Sequence, residues 1–307
     1  MNEVQNFAPI IIFVYNRAFH TRELLKSLSL CLYAKDSPLY IFSDAAKNEG
    51  SLQKVEEVRS VIHEDIWNDC FKRVHIIEAT KNKGLANSII DGVSQVIHEF
   101  GRVIVVEDDN RVSTDFIDFM NRALDFYCDI ERIGYIGGYT LPIRIPDDYQ
   151  YDIFAMERGS SYAWATWQKY WDLVDWKVTD YDSFKHNKKL RKRFDECGPR
   201  SSLLDLQMSG KIDSWAIRFS YSMFKMGKMA ILPTKTRVEN IGFDGTGIHN
   251  KSYETKYHTK IEDNLKSATF LDVDIDERIK KEFKRIFKKP PLVIRVLRKI
   301  GVLKNKS

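Results

Sequence analysis

The chain has 307 residues, 43% of them hydrophobic and 12% aromatic, which builds a sizeable core and excludes an intrinsically disordered protein. Its net charge of +5 is unevenly spread, because residues 278–307 carry 12 Lys or Arg against Glu282 alone and the rest is net acidic. An acidic body without a groove-reading motif argues against nucleic acid as a partner.

In chain order, short β-branched runs at Ile10–Val14, Leu39–Phe42, Val74–Ile77 and Val103–Val106 read as buried parallel strands. Amphipathic helices are expected between and after them, over about Thr21–Leu32, Leu52–Glu64, Leu85–Phe100 and Asp115–Tyr127. The third places Leu85, Ile89, Val93, Val96 and Phe100 on one face. Strands alternating with helices of this length give right-handed βαβ units and a Rossmann-like half. After Gly138 the rhythm breaks. A strand near Tyr151–Met156 is followed by crowded aromatics, by helices over about Phe184–Phe224, and by a last apolar strand at Met229–Leu232. The stretch Ser161–Trp167 reads as core packing or as a stacking platform for sugar rings. A Gly-rich segment, Asn240–His249, is expected to be a loop able to approach a ligand closely.

The four cysteines show no metal-ligand spacing and are expected as reduced thiols of a cytosolic protein. No signal peptide is evident, and no apolar run approaches the ~20 residues that span a bilayer.

The most informative residues end the fourth strand: Glu107, Asp108 and Asp109. Three adjacent carboxylates repel one another and lose hydration unless a cation offsets them. An all-oxygen set suits magnesium or manganese, and ligands of open α/β sheets bind beyond the carboxyl ends of the strands. The plainer account is a solvated acidic turn capping the next helix at Asp115. Arg17, after the first strand, could pair with a diphosphate, or be a surface arginine. Asp44, ending the second, could accept from a base or ribose, or serve an ordinary turn. Their expected convergence at the same strand ends favours a site.

On Pro9–Arg17, Asp44, Lys83-Gly-Leu-Ala-Asn87 and Val-Glu-Asp-Asp109 followed by Asp115-Phe116, the chain resembles GT-A-fold nucleotide-sugar glycosyltransferases. The likeness is to the N-acetylglucosaminyltransferase I group and to bacterial family 2-like enzymes. It implies that Asp109 binds Mn2+ or Mg2+, that Glu107 and Asp108 face ribose and sugar, that Asp44 holds uracil, and that Arg17 holds the diphosphate. Gly84 falls in the donor-binding loop. Lys211-Ile-Asp-Ser-Trp215 is similar to the group's Trp-Asp-Asp-Trp segment, which makes Asp213 the catalytic base, although only Asp-x-Trp survives here. Trp215 beside it is expected to strip water from the carboxylate and raise its pKa. Asp213 could equally N-cap the following helix. His249 is a candidate second metal ligand, as in some GT-A enzymes.

These readings give an α/β GT-A fold: a nucleotide-sugar-binding half over 1–130, an acceptor and catalytic half over 131–260, and a basic amphipathic tail over 261–307. The tail is expected to dock on an anionic membrane, placing a cytoplasmic enzyme at the inner face beside a glycan or lipid-linked acceptor. The expected activity is metal-dependent, inverting transfer of a hexosyl or GlcNAc-type sugar from a UDP-sugar. A sugar nucleotidyltransferase and an inactive membrane scaffold are the alternatives.

Overall fold

The computed structural model describes residues 7–242, 257–262 and 265–287. The four apolar runs form the parallel half of an eight-stranded sheet: β1 (Ile10–Val14), β2 (Pro38–Ser43), β3 (Arg73–Glu78) and β4 (Arg102–Glu107), ordered β3-β2-β1-β4. Every residue of β1 is buried, as a strand covered on both faces requires. The helices α1 (Ala18–Ser29), α2 (Glu49–Ile62) and α3 (Leu85–Phe100) follow β1, β2 and β3. α1 starts three residues earlier than its periodicity predicts, and its buried stripe (Thr21, Leu24, Leu25, Leu28) is carried by the later turns. In α3 the buried face is Ala86, Ile89, Val93, Val96 and Ile97, while Leu85, expected on it, is exposed.

The second half continues through β5 (Asn110–Val112), α4 (Phe116–Tyr127), β6 (Ile133–Gly137), β7 (Ile153–Met156) and β8 (Ala163–Trp167). Then come α5 (Gln168–Trp171), α6 (Tyr181–His186), α7 (Lys188–Phe194), α8 (Arg200–Met208), α9 (Trp215–Lys225), β9 (Met229–Pro233) and β10 (Val238–Asn240). The full order is β3-β2-β1-β4-β8-β6-β9-β7, with β8 antiparallel to β4 and β6 and β7 antiparallel to β9. This mostly parallel α/β sheet opens with a Rossmann-like strand order, and both halves share it. β10 and β5 form a small antiparallel pair beside it.

β8 decides between the two readings of Ser161–Trp167 in favour of core packing. It is a central strand with Val106 opposite Ala163 and Arg102 opposite Trp167, and all five of its residues are buried. Trp164 stacks on Trp215 at 4.9 Å and on Trp171 at 5.7 Å, an aromatic core that fixes the start of α9.

The tail is corrected more sharply. Residues 265–287 lie against the body. The Tyr127 hydroxyl donates to the Leu271 carbonyl (2.6 Å), Arg122 donates to the Ala268 carbonyl (3.0 Å), and Phe270 packs on Phe119. The helix α10 (Glu277–Phe287) buries Ile279 and Phe283 completely or nearly so. Lys280 reaches the Glu157 and Glu196 carboxylates at 2.9 and 3.1 Å. The apolar face assigned to a membrane is therefore occupied by the protein itself through Phe287. Residues 288–307 lie outside the described residues. Among the described residues no helix is long and apolar enough to cross a membrane.

Candidate active site

The carboxyl ends of β1, β2 and β4 meet on one edge because the three strands are parallel and adjacent. The register sets Phe13 level with Glu107 and Val14 level with Ser43. Arg17 occupies the N-cap position just before α1, with φ −126° and ψ 72°, outside the helical region. Its Nη1 donates to Asp109 Oδ2 at 3.0 Å and its Nη2 to Asp108 Oδ1. The pair is well shielded, Arg17 being 20% and Asp108 8% exposed in their side chains. Burial works to lower the Arg17 pKa, but the charges and hydrogen bonds of Asp108 and Asp109 overcome it and lift the guanidinium above its usual range.

One guanidinium does not balance three carboxylates. Burial first, then the charges of Asp109 and Asp108, push Glu107 up to about 8, against Arg17 and a hydrogen bond with Ser161. Burial also raises Asp108, opposed by Arg17 and aided by Asp109. Glu107 and Asp108 thus sit in a cluster with a deficit of positive charge.

The third carboxylate is held from the far end of the chain. Asn240 Nδ2 donates to Asp109 Oδ1 at 2.9 Å, and the Ile241 N–H donates to the Asp109 carbonyl at 2.7 Å. A Cβ added at Gly242 would lie 2.9 Å from the Asp109 Cβ, closer than side chains pack, so only glycine fits there. The Gly-rich segment thus begins directly on Asp109, and its residues 243–249, His249 among them, lie outside the described residues. Among the described residues no three His, Cys, Asp or Glu side chains are arranged to hold a metal ion, and Arg17 pairs with both Asp108 and Asp109.

Asp44 follows β2 and is nearly buried. Its Oδ1 accepts the N–H groups of Ala45 and Lys83 at 2.9 Å each. Its Oδ2 accepts from the Gly84 N–H (2.9 Å) and Asn82 Nδ2 (3.0 Å). A carboxylate has about four acceptor sites, so here Asp44 is spent on folding the 82–84 loop over the strand ends. Gly84 is the pivot of that loop: its φ of +75° is a region side chains rarely enter, and it precedes the first turn of α3.

Asp213 closes the other side. A Cβ at Gly84 would be 3.9 Å from Asp213 Oδ2, which brings the start of α9 against the start of α3. The dehydration expected from Trp215 is absent. Trp215 points into the Trp164 stack, whereas the Asp213 side chain is 57% exposed and accepts from Arg218 Nη2 at 3.1 Å. Nor is Asp213 the cap of α9: Ser214 precedes the helix and accepts from the Ile217 N–H.

Sequence reasoning missed Asn240, Ser161 and Arg218. Asn240 reaches Asp109 only because β10 pairs with β5, Asn240 opposite Asn110. Ser161 reaches Glu107 through the loop leading into β8, whose antiparallel return carried no local signal, and Arg218 lies five residues after Asp213, which itself precedes α9, so helical spacing does not announce the pair.

No protein-family model matches the chain. No curated protein matches it either. Among solved structures it is similar to S. aureus TarS, at 13% identity and a TM-score of 0.42, over 76% of this chain and 36% of that one. It is also similar to residues 1–349 of S. aureus TarS in complex with UDP, at 15% identity and a TM-score of 0.41, over 76% of this chain and 59% of that one. The chain thus spans well under two thirds of those structures. At such distance the likeness carries no functional weight, and the reading below rests on this chain's residues.

Proposed function

We propose that this chain is a glycosyltransferase that moves a sugar from a nucleotide diphosphate donor, a UDP-sugar, to an acceptor hydroxyl with inversion. The observation that carries the reading is the convergence of Arg17, the Asp44-anchored 82–84 loop and the Glu107–Asp109 carboxylates on one sheet edge, with Asp213 facing them across Gly84. Donor-binding crevices of open α/β sheets lie at such edges. The strand-end acids would also repel a diphosphate unless further positive charge arrived with it.

That deficit, expressed in the raised Glu107 carboxyl, fits a hard divalent cation, Mn2+ or Mg2+. Asp109 would hold it, with Glu107 and Asp108 behind and His249 as a further ligand, and when bound it would neutralise the departing diphosphate. Arg17, released from Asp108 and Asp109, would pair with the phosphate oxygens. Asp213 is open enough to meet an acceptor hydroxyl and accept its proton as the oxygen attacks the anomeric carbon, and Arg218 fixes the orientation of its carboxylate. The acceptor in this reading is a surface glycan or a lipid-linked oligosaccharide. The basic residues beyond Phe287, and not the apolar face of α10, would supply attraction to an anionic inner leaflet. A thermal-shift screen of UDP-, GDP-, TDP- and CMP-sugars with and without manganese tests the proposal. It expects a manganese-dependent rise with a UDP-sugar and is contradicted by no rise with any donor.

A further inference from the structure

Arg158 and Arg200 lie in the acceptor half, away from Arg17, and both line a cavity of about 250 Å³. Its walls come from the 158–162 loop, α8, α9 and α10. Arg200 is buried at 2% exposure, stacked on Phe194 at 4.4 Å. Its Nε donates to the Phe194 carbonyl (2.7 Å) and its Nη1 to the Glu157 carbonyl (2.9 Å) and, at 3.4 Å, to Ser220 Oγ. Its Nη2 is buried with no hydrogen-bond partner. Arg158 donates from Nη1 to the Cys197 carbonyl (2.8 Å) and lies over the Phe287 ring at 4.3 Å.

Among the described residues neither guanidinium forms an ion pair with a carboxylate. The acids close by are engaged: Glu157 and Glu196 on Lys280, and Asp195 on the Ser201 N–H. Burial, followed by the neighbouring Arg200, lowers Arg158 to about 10, and burial lowers Arg200 as well. Buried charges are ordinarily paired. Two guanidiniums that line one cavity, neither paired with a carboxylate, form a site whose charge an anion would neutralise.

We propose that this cavity is an anion subsite in which Arg158 and Arg200 receive a carboxylate or phosphate group carried by one of the two substrates of the transfer. The assignment rests on the glycosyl-transfer reading, since it supposes a donor and an acceptor. The cavity's position suits the task. Ile212 and Ser214, which line it, flank Asp213, and Ser161, on its wall, bonds Glu107. The cavity wall thus includes residues adjoining Asp213 and a residue bonded to Glu107. Planar guanidinium forks bind carboxylate and phosphate through paired N–H donors, whereas a neutral sugar leaves them unpaired, so the site selects for charge. Phe283 and Phe287 of α10 close one wall, which gives the docked part of the tail a role in shaping the substrate pocket.

The test is calorimetry on the full chain with inorganic phosphate and glucuronate as probes and glucose as the neutral control. Wild-type protein should bind both anions at least tenfold more tightly than glucose. Arg158→Gln should abolish that preference, Arg158→Lys should keep part of it, and UDP affinity should be unchanged in both variants. Two further arms locate the charge. A tenfold preference for UDP-glucuronate over UDP-glucose that disappears in Arg158→Gln puts it on the donor. Equal donor affinities, with a sugar phosphate bound by the UDP-loaded protein through Arg158, put it on the acceptor. Anion binding that is absent, or that survives Arg158→Gln while UDP still binds, overturns the subsite and leaves glycosyl transfer standing. Arg158-dependent phosphate binding by a protein that takes no nucleotide sugar supports the cavity and refutes the function assigned to it.

Discussion

Arg17→Ala is the substitution whose consequence the site determines most completely. It removes the cation that reaches both Asp108 and Asp109 and leaves a largely buried Asp108 beside two other acids. Breaking a buried ion pair by deleting one partner costs about 3–5 kcal/mol, and the partial exposure of Arg17 places this case near the lower end, about 3 kcal/mol. For a chain of this size that corresponds to a fall in Tm of roughly 5 °C.

The loss should depend on pH. Glu107 and Asp108 already have folded pKa values above their unfolded ones, so they stabilise the fold in their protonated forms. Their contribution is lost as pH rises from the unfolded value, about 4, through the folded one, about 8 for Glu107. Without Arg17 those folded values climb further, and the deficit of the variant should be larger at pH 8 than at pH 5. Thermal unfolding of both proteins at the two pH values measures this. Millimolar manganese should restore the variant more than the wild type, because the ion takes the place of the guanidinium. An equal loss at both pH values, or none, would refute the electrostatic account of the strand-end cluster.

Four further outcomes are expected. Asp213→Asn should keep UDP affinity and lower transfer by about 10²–10⁴-fold, the range of general-base catalysis; a turnover number near wild type removes the base role. Phe283→Ala should cost about 3–5 kcal/mol in denaturant unfolding, since Phe283 is 3% exposed in the core beneath α10; a neutral result would mean that α10 does not dock. By contrast, deleting only residues 288–307 should leave stability unchanged while weakening sedimentation with anionic vesicles, and equal sedimentation dismisses tail docking. Manganese affinity should rise between pH 5.5 and 8 as Glu107 releases its proton, which calorimetry in buffers of different ionisation enthalpy reads as proton release; a flat profile excludes Glu107 from the ion's environment.

The parallel half was legible because its strands are uninterrupted apolar runs: Ile10–Val14 was expected and found with the same bounds, and α3 likewise. The strand-end positions of Arg17, Asp44 and the acids followed from that rhythm. β8 was not legible, since its Trp and Ala residues look alike whether they pack in a core strand or line a sugar site, and only pairing with Val103–Val106 decides. The tail misled for a related reason. A basic amphipathic helix states that one face needs an apolar partner, and says nothing of whether that partner is lipid or, as for Ile279 and Phe283, the protein's own core. Neither the closeness of Asp213 to Gly84 nor the direction of Trp215, into the Trp164 stack, was visible without the tertiary fold.

The central claim is that the strand-end carboxylates serve a cation that accompanies a nucleotide diphosphate. Calorimetric titration of UDP with manganese into wild-type protein and Asp109→Ala tests it most directly. The account predicts manganese-dependent UDP binding that the substitution abolishes, with Asp213→Asn binding as wild type does. UDP affinity that is the same with and without manganese, or unaltered by Asp109→Ala, would contradict it.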